Sequence, residues 1–577
     1  MARKELKVSL SNCSDRSTYI LLGNILRIQI LSYWRLKRMS SIQTEEKITK
    51  FLEHYKEKGY LETLSLADAL KNWATIYKNK VALVDQTGSL TYEELYRSAN
   101  FLGQGLLAQG IKKGDNVLVQ LPNNIYFVKI CFALFILGAR PILLLPTHRE
   151  KDITNIANLT EPVAIVIPST FHGYDYQSMA RKVAMKQQSI SCIITDEPND
   201  TCMSLRDIEY EFSTQKNDFM EHQSSYQDIA LFLLSGGTTG TPKVIPKLHT
   251  AYLCNAKAAA NRCQVTENST YLAVLSIAHD YPLCSPGVLG TLSKGGKVVL
   301  SSTSTFDEAL KWIEKERVTY TSIVPVIANL WVESLALEEN ADVSSIDYIL
   351  LGAAKLEKQL ALQLMTQFQC QLIQGYGLGE GITCFTSPDD DIDTIISCQG
   401  TPISTGDDIK IVDENGDEVA QGEAGELIQK GPYTFLGYYK SLEMNQLSFT
   451  TDGFFKTGDK ARITEEGNIQ ILGRVKEQIN RAGENVTPSE IESYLLEHDE
   501  IVDASVVGVV DQELGERICA FVVKKDKELS LTVLCQFMIE NGVANTKLPD
   551  QLVYVESIPY INVGKSDKKK LVAQYLA

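Results

Sequence analysis

Five short stretches of the 577-residue chain concentrate side chains able to do chemistry. The first is residues 235–247, SGGTTGTPKVIPK. Gly236, Gly237 and Gly240 let backbone N–H groups approach an anion closely, Ser235, Thr238 and Thr239 add hydroxyl donors, and Lys243 adds a charge. That chemistry suits phosphate oxygens. The spacing is not that of a Walker loop, because no Gly-Lys follows Gly236 or Gly237 at the required offset, and the Gly-Lys-Ser triplet at 564–566 fails because Pro559 stands where the first glycine belongs. A surface linker has the same composition, so on this stretch alone both readings stand.

The second stretch, 374–381 (QGYGLGEG), follows an apolar run and opens into a glycine-rich turn. Tyr376 can cover a flat base there and Glu380 can hold a divalent cation beside phosphates; a glycine-rich turn with a solvated glutamate is the alternative. The third, 452–459 (DGFFKTGD), carries Asp459. Its carboxylate can accept both hydroxyls of a ribose, although exposed turn aspartates are commoner. The fourth, 278–287 (AHDYPLCSPG), packs His279, Asp280, Tyr281 and Ser285 between apolar neighbours, where a buried aspartate requires a partner. The fifth, 562–570 (NVGKSDKKK), sets Lys565 on a glycine-flanked loop, apart from the solvated basic run Lys568–Lys570.

The elements that must position these residues alternate between strands and helices from residue 65 to about 472. Near-continuous Val/Ile/Leu runs at 116–122, 140–146, 162–168, 229–235, 297–302, 321–326 and 348–353 read as strands covered on both faces. Apolar positions three and four apart mark helices at 92–110 and 306–317. The pattern is α/β with buried parallel sheets, and too many strands are present for one open sheet. Near residue 404 the texture changes to short strands joined by Asn-Gly and Gly-Glu turns. The last hundred or so residues read as a small α+β domain: helix 488–497, strands 503–510 and 518–524, helix 530–541, strand 551–556 and a basic tail.

Composition narrows the function classes. Lys+Arg number 56 and Asp+Glu 72, a net charge of −16, which argues against a nucleic-acid partner. Apolar residues are 44% and charged residues 22%, an ordinary globular balance. No apolar run reaches the ~18–20 residues that a membrane span needs. The twelve cysteines are scattered without zinc spacing, which reads as free thiols in a reducing cytoplasm. Residues 1–38 carry a net charge of +6 and a broken apolar piece, 19–34. An amphipathic membrane-surface helix is one reading; a basic extension over 1–44, with Met39 as the native start, is favoured because cleavage and lipidation signals are missing.

Taken together and in this order, the stretches resemble the adenylate-forming superfamily of acyl-CoA synthetases, peptide-synthetase adenylation domains and luciferases. The resemblance covers roughly residues 45–577. Within that superfamily, 278–287, 429–439 (QKGPYTFLGYY), 452–459 and 473–486 (GRVKEQINRAGENV) are most similar to the stand-alone aryl-acid–AMP ligases of siderophore assembly. The resemblance implies a large adenylation domain over 45–473, made of parallel sheets flanked by helices plus a small β-rich part, and a small mobile C-terminal α+β domain over 474–577 with its hinge at Lys476. It implies ATP and Mg²⁺ as cofactors and 2,3-dihydroxybenzoate or salicylate as the acid. The acyl-adenylate would pass to the phosphopantetheine thiol of an aryl carrier protein, or to CoA, on another molecule, since no carrier segment is evident up to residue 577. By the same resemblance Ser235–Lys243 would wrap the ATP β- and γ-phosphates. Tyr376, with Gly375, would lie along the adenine, Glu380 would reach Mg²⁺, and Asp459 would hold the ribose beside Arg474. Lys565 would bridge the substrate carboxylate and the α-phosphate, and His279 would stand near that carboxylate. Asp280, Tyr281, Cys284, Ser285, Gly352, Ala353, Thr383 and Cys384 would line a small acid pocket.

One position departs from the pattern. Aryl-acid ligases usually have Asn where this chain has Asp280, and relatives that activate α-amino acids use an Asp there to pair with the substrate ammonium. An ionised Asp280 facing a phenol beside a carboxylate brings two negative charges together. An amino-bearing acid, anthranilate-like or β-amino, is therefore the alternative substrate class, and an aryl-CoA ligase the alternative activity.

Overall fold

The computed structural model describes residues 46–198, 202–214, 219–235, 243–354, 356–474, 478–559 and 566–576. The chain divides between Gly59 and Tyr60; on the short side, residues 46–57 are helical.

Two large sheets carry the long unit. One has seven strands in the order Met203–Ser204, Cys192–Thr195, Ala164–Ile167, Asn116–Val119, Arg140–Leu143, Ile229–Ser235 and Lys243–Leu248. All neighbours are parallel except the last two, which pair antiparallel with Ser235 opposite Lys243. The other has nine strands: Thr401–Pro402, Thr383–Phe385, Gln371–Gly377, Tyr348–Leu351, Tyr320–Ile323, Thr270–Ala273, Lys297–Leu300, Val81–Asp85 and Gly88–Thr91. Its middle is parallel and both ends are antiparallel. Central strands such as Asn116–Val119, Ala164–Ile167 and Tyr348–Leu351 are buried at every position, as their unbroken apolar runs require.

The seven strand runs read from sequence all form strands, each within a few residues of its expected bounds. The helices at 92–110 and 306–317 form over Tyr92–Ala108 and Phe306–Glu316. Thr91 caps the first, its side chain accepting from Glu94 N while Glu94 reaches back to the Thr91 backbone. Helix Ile125–Leu137 is buried at every residue but Tyr126 and anchors the main core together with Tyr92, Tyr252 and Tyr271.

A four-stranded antiparallel sheet follows, Asp408–Val412, Gly425–Lys430, Phe455–Ile463 and Ile469–Arg474, with Asp459 paired opposite Arg474. The C-terminal segment builds its own sheet from Glu484–Val486, Ile479–Arg481, Gly515–Lys524 and Ile501–Asp511, with Gln551–Tyr554 added parallel to Gly515–Lys524. Helices Pro488–Leu495 and Leu531–Glu540 cover a separate core around Ile491, Val506, Ile518 and Met538. Polar contacts tie this segment to the rest. The Lys547 ammonium lies 2.7 Å from both Asp152 and Glu490, and Lys151 lies 2.6 Å from Glu497. Asn480 Nδ2 donates to Ala353 O at 2.6 Å.

Candidate active site

Ser235 and Lys243 stand opposite each other at the end of their strand pair. Gly236, Gly237, Thr238, Thr239 and Gly240 fall outside the described residues, as do Lys476 and Lys565, and only the backbone of Arg474 is described.

Glu380 is the hub of this end. The side chain is buried, and its Oε1 accepts from Tyr438 OH at 2.8 Å and from Ser235 Oγ at 3.4 Å. Its backbone carbonyl accepts from Phe435 N at 2.7 Å, which pins the 435–438 turn beneath the carboxylate. The Lys243 ammonium sits 3.5 Å from Tyr438 OH and 4.9 Å from the ring centroid. Hydroxyl, cation and carboxylate from three elements thus converge at the mouth of the glycine-rich loop.

A second cluster lies on the strand ends next to it. Tyr376 OH donates to Asp459 Oδ2 at 2.6 Å. Asp459 is buried, and its backbone N–H donates to Thr457 Oγ1 at 3.1 Å. Gly375 is required for close packing, since a Cβ there would stand 2.5 Å from the Phe385 ring.

The third cluster is built by the short helix Asp280–Cys284. His279 caps it, Nδ1 accepting from Tyr281 N at 3.3 Å. His279 retains solvent exposure, yet the protein groups around it desolvate the imidazole. That desolvation holds its pKa below the usual imidazole value, with Asp280 opposing. Tyr281 OH and Ser285 Oγ are buried without a hydrogen-bond partner among the described residues. A Cβ on Gly352 would meet the Tyr281 ring and the Gly375 carbonyl, each at 3.3 Å, so the glycine lets these walls close. Ala353 adopts a left-handed φ of 66°. Thr383 Oγ1 lies 3.4 Å from Asn255 Oδ1, and Cys384 is fully buried. Cys284 donates to Tyr252 O at 3.5 Å, and burial raises its thiol pKa.

Asp280 sits at the centre of this third cluster. Tyr252 OH donates to its Oδ1 at 2.7 Å. Burial raises its pKa, opposed first by the charge of Lys247, then by the Tyr252 hydrogen bond and by His279; Glu380 adds to the rise. Lys247 is 2% exposed, and its ammonium donates to Gly379 O at 3.0 Å and Tyr433 O at 3.2 Å.

Of the residues named from the sequence, Ser235, Lys243 and Glu380 meet around Tyr438, and Tyr376 meets Asp459; Lys247, Tyr252 and Tyr438 were not named. Lys247 closes the 235–247 stretch and Tyr438 lies in 429–439, so both carried a positional signal; Tyr252, inside helix His249–Arg262, carried none.

Comparison with known proteins names the class. Residues 70–439 match the AMP-binding enzyme family and residues 490–565 match the AMP-binding enzyme C-terminal domain. The chain belongs to this family and is an acyl-AMP-forming ligase. It is 40% identical to the 2,3-dihydroxybenzoate-AMP ligase of Bacillus subtilis (strain 168) over 519 residues, 90% of this chain and 95% of that protein. It is 36% identical to enterobactin synthase component E of Escherichia coli (strain K12) over 538 residues, 92% of this chain and 97% of that protein. Among solved structures it is similar to apo MbtA of Mycobacterium smegmatis, with a TM-score of 0.70 and 34% identity over 91% of this chain and 98% of that one.

Proposed function

We propose that the protein activates a small hydroxybenzoate, 2,3-dihydroxybenzoate or salicylate, with ATP, forming the aryl adenylate and releasing pyrophosphate. It then passes the aryl group to the phosphopantetheine thiol of a carrier protein in siderophore or nonribosomal peptide assembly. The observation that carries this reading is the pair of buried unpartnered hydroxyls, Tyr281 and Ser285, in a recess walled by Gly352 and headed by His279 and Asp280. Two buried hydroxyls without partners among the described residues supply hydrogen-bonding capacity suited to the polar substituents of a small aryl acid. The names of the relatives at 36–40% identity support the same substrate class.

In this reading Ser235, Lys243 and the glycine-rich loop hold the β- and γ-phosphates. Tyr376 lies along the adenine, and the Asp459 carboxylate takes the ribose, beside Arg474. Glu380 suits Mg²⁺: it is one hard carboxylate among hydroxyl donors, and Mg²⁺ is characteristically held by one or two carboxylates together with substrate phosphates. Bound there, the ion would neutralise charge on the phosphoryl oxygens. The acid's carboxylate attacks the α-phosphorus and pyrophosphate departs. Lys565 brings those two anions together and follows the charge that builds in the transition state. His279 borders the carboxylate as an uncharged imidazole. Residues 45–473 and 474–577 act as two lobes hinged at Lys476, so that the small lobe serves adenylation in one orientation and thiol attack in another.

The described cysteines are all free, which supports a reducing, cytoplasmic setting; among the described residues no helix is long and apolar enough to cross a membrane. ATP–pyrophosphate exchange tests the reading across salicylate, 2,3-dihydroxybenzoate, anthranilate and β-amino acids, followed by thioester formation with carrier protein or CoA. Exchange with the hydroxybenzoates is expected. Exchange with β-amino acids alone would refute the substrate class, and transfer to CoA alone would refute the carrier protein.

A further inference from the structure

Asp280 raises a problem of charge. A hydroxybenzoate brings its own carboxylate into the recess, and an aspartate beside it adds a second negative charge where water is scarce. An aliphatic ammonium on the substrate would relieve that repulsion, which is why an aspartate here points toward amino-bearing acids. The structure supplies another cation, Lys247, linked to Asp280 through the Tyr252 ring.

Lys247 is on the edge strand Lys243–Leu248, four residues past the phosphate-loop lysine, and its side chain turns into the protein. Its ammonium is anchored by two backbone carbonyls, Gly379 O and Tyr433 O, both adjacent to the walls of the site. It lies 5.6 Å from the ring centroid of Tyr252, and the hydroxyl of that same ring donates to Asp280 Oδ1 at 2.7 Å. Tyr252 is thus a polarisable bridge between a fixed cation and the aspartate. Burial lowers the pKa of Lys247, and the neighbouring carboxylates oppose that, Asp280 more than Glu380; burial raises the pKa of Asp280, opposed first by Lys247 and also by His279, while Glu380 adds to the rise.

We propose that Lys247 is a positioning and specificity residue: its buried ammonium, through Tyr252, serves as the built-in counter-ion of Asp280, so that the recess takes acids whose ring substituent is a neutral hydrogen-bond donor and disfavours acids bearing an ammonium. Asp280 Oδ1 is occupied by Tyr252, leaving Oδ2 to accept from the substituent. A phenol meets that acceptor without a change of charge. An aliphatic ammonium brings a second cation toward Lys247, which is already neutralised by Asp280. An aromatic amine such as anthranilate's is uncharged near neutral pH and is sorted with the phenols. The absence of the usual Asn is thereby compensated from a second position, Lys247.

This inference rests on the hydroxybenzoate reading, and its test separates the two. Pyrophosphate exchange is measured for wild type, K247Q, K247R, D280N and K247Q/D280N, with salicylate and with β-phenylalanine, and each variant's unfolding midpoint is recorded. Gln retains a donor for one carbonyl while removing the charge. K247Q is expected to raise KM for salicylate about tenfold with kcat within about threefold, the pattern of lost ground-state complementarity. It is expected to shift the salicylate-to-β-phenylalanine preference toward the amine by a similar factor, and K247R is expected to retain wild-type behaviour. The decisive variant is K247Q/D280N: an asparagine needs no counter-ion, so salicylate KM should return to within about threefold of D280N alone. A double variant as impaired as the product of the two single changes, or a loss in kcat alone, would show that Lys247 only braces the backbone and would overturn the proposal. A wild type that fails to exchange with any hydroxybenzoate would instead overturn the substrate reading, and this inference with it.

Discussion

Tyr376 OH and Asp459 Oδ2 are 2.6 Å apart, a contact joining the end of strand Gln371–Gly377 to strand Phe455–Ile463. That hydrogen bond restrains one oxygen of the carboxylate. Y376F removes that restraint while keeping the ring. It is expected to raise KM for ATP roughly tenfold, the scale of one hydrogen bond to a charged group, with kcat changed less than about threefold. D459N, which alters the ribose acceptor itself, is expected to cost more than Y376F. An unchanged KM for ATP in both variants would remove these residues from the nucleotide site.

Glu380 connects Ser235 to the turn at Phe435–Tyr438 through its side chain and its backbone together. E380Q retains the size and an acceptor but gives up the charge that a hard cation requires. The expected result is a rise in the Mg²⁺ concentration for half-maximal exchange, together with a drop in kcat of about a hundredfold, the scale seen when one preorganised electrostatic contact is lost. Y438F should give a smaller shift in the same direction. A Mg²⁺ dependence identical to wild type in E380Q would exclude a metal role.

The proposed function gives Lys565 and Lys476 different half-reactions. K565A is expected to depress pyrophosphate exchange by about a hundredfold or more while leaving transfer from preformed aryl adenylate to the thiol largely intact. K476P, at the proposed hinge, is expected to do the reverse, keeping exchange and losing thioester formation. Undiminished exchange in K565A, or loss of both activities in folded K476P, would defeat the respective assignment.

What the sequence disclosed and what it concealed have physical causes. Strand Ile229–Ser235 was legible because a strand covered on both faces is a continuous apolar run. Its neighbour Lys243–Leu248 was not, because Pro246 and Lys247 argue against a strand; the structure accommodates both at the edge of the sheet. Helix Ile125–Leu137 is apolar all round, so it has no helical period to detect, only the composition of a core element. At the site, Ser235, Lys243, Tyr376, Glu380 and Asp459 were legible because each lies within or beside a glycine-containing stretch, with its neighbours close in sequence. Lys247 reads as a solvated lysine until the fold buries it, and Tyr252 meets Asp280 across 28 residues of chain that no local pattern spans.

The fold also sets a pH dependence apart from catalysis. His249 begins helix His249–Arg262, is 1% exposed, and accepts from Leu66 N at 3.2 Å through Nδ1. Burial lowers its pKa from 6.5 to about 4; Asp228 and Asp68 pull upward and Lys113 downward. Between those values the unfolded chain binds a proton at this position that the folded chain does not, so the histidine's contribution to stability is intact above about 6.5 and lost progressively as pH falls toward 4. A shift of this size corresponds to about 3 kcal/mol across the window. Asp407, buried with its pKa raised to about 7, works in the opposite sense, since its protonated folded form gains as pH falls. The signal is therefore the difference between wild type and H249N, whose side-chain carbonyl can still accept from Leu66 N. Urea unfolding at pH 7.5 and at pH 5 is expected to show the wild type losing more stability than H249N on acidification. Equal losses in the two proteins would mean that His249 titrates in the folded state at its ordinary pH.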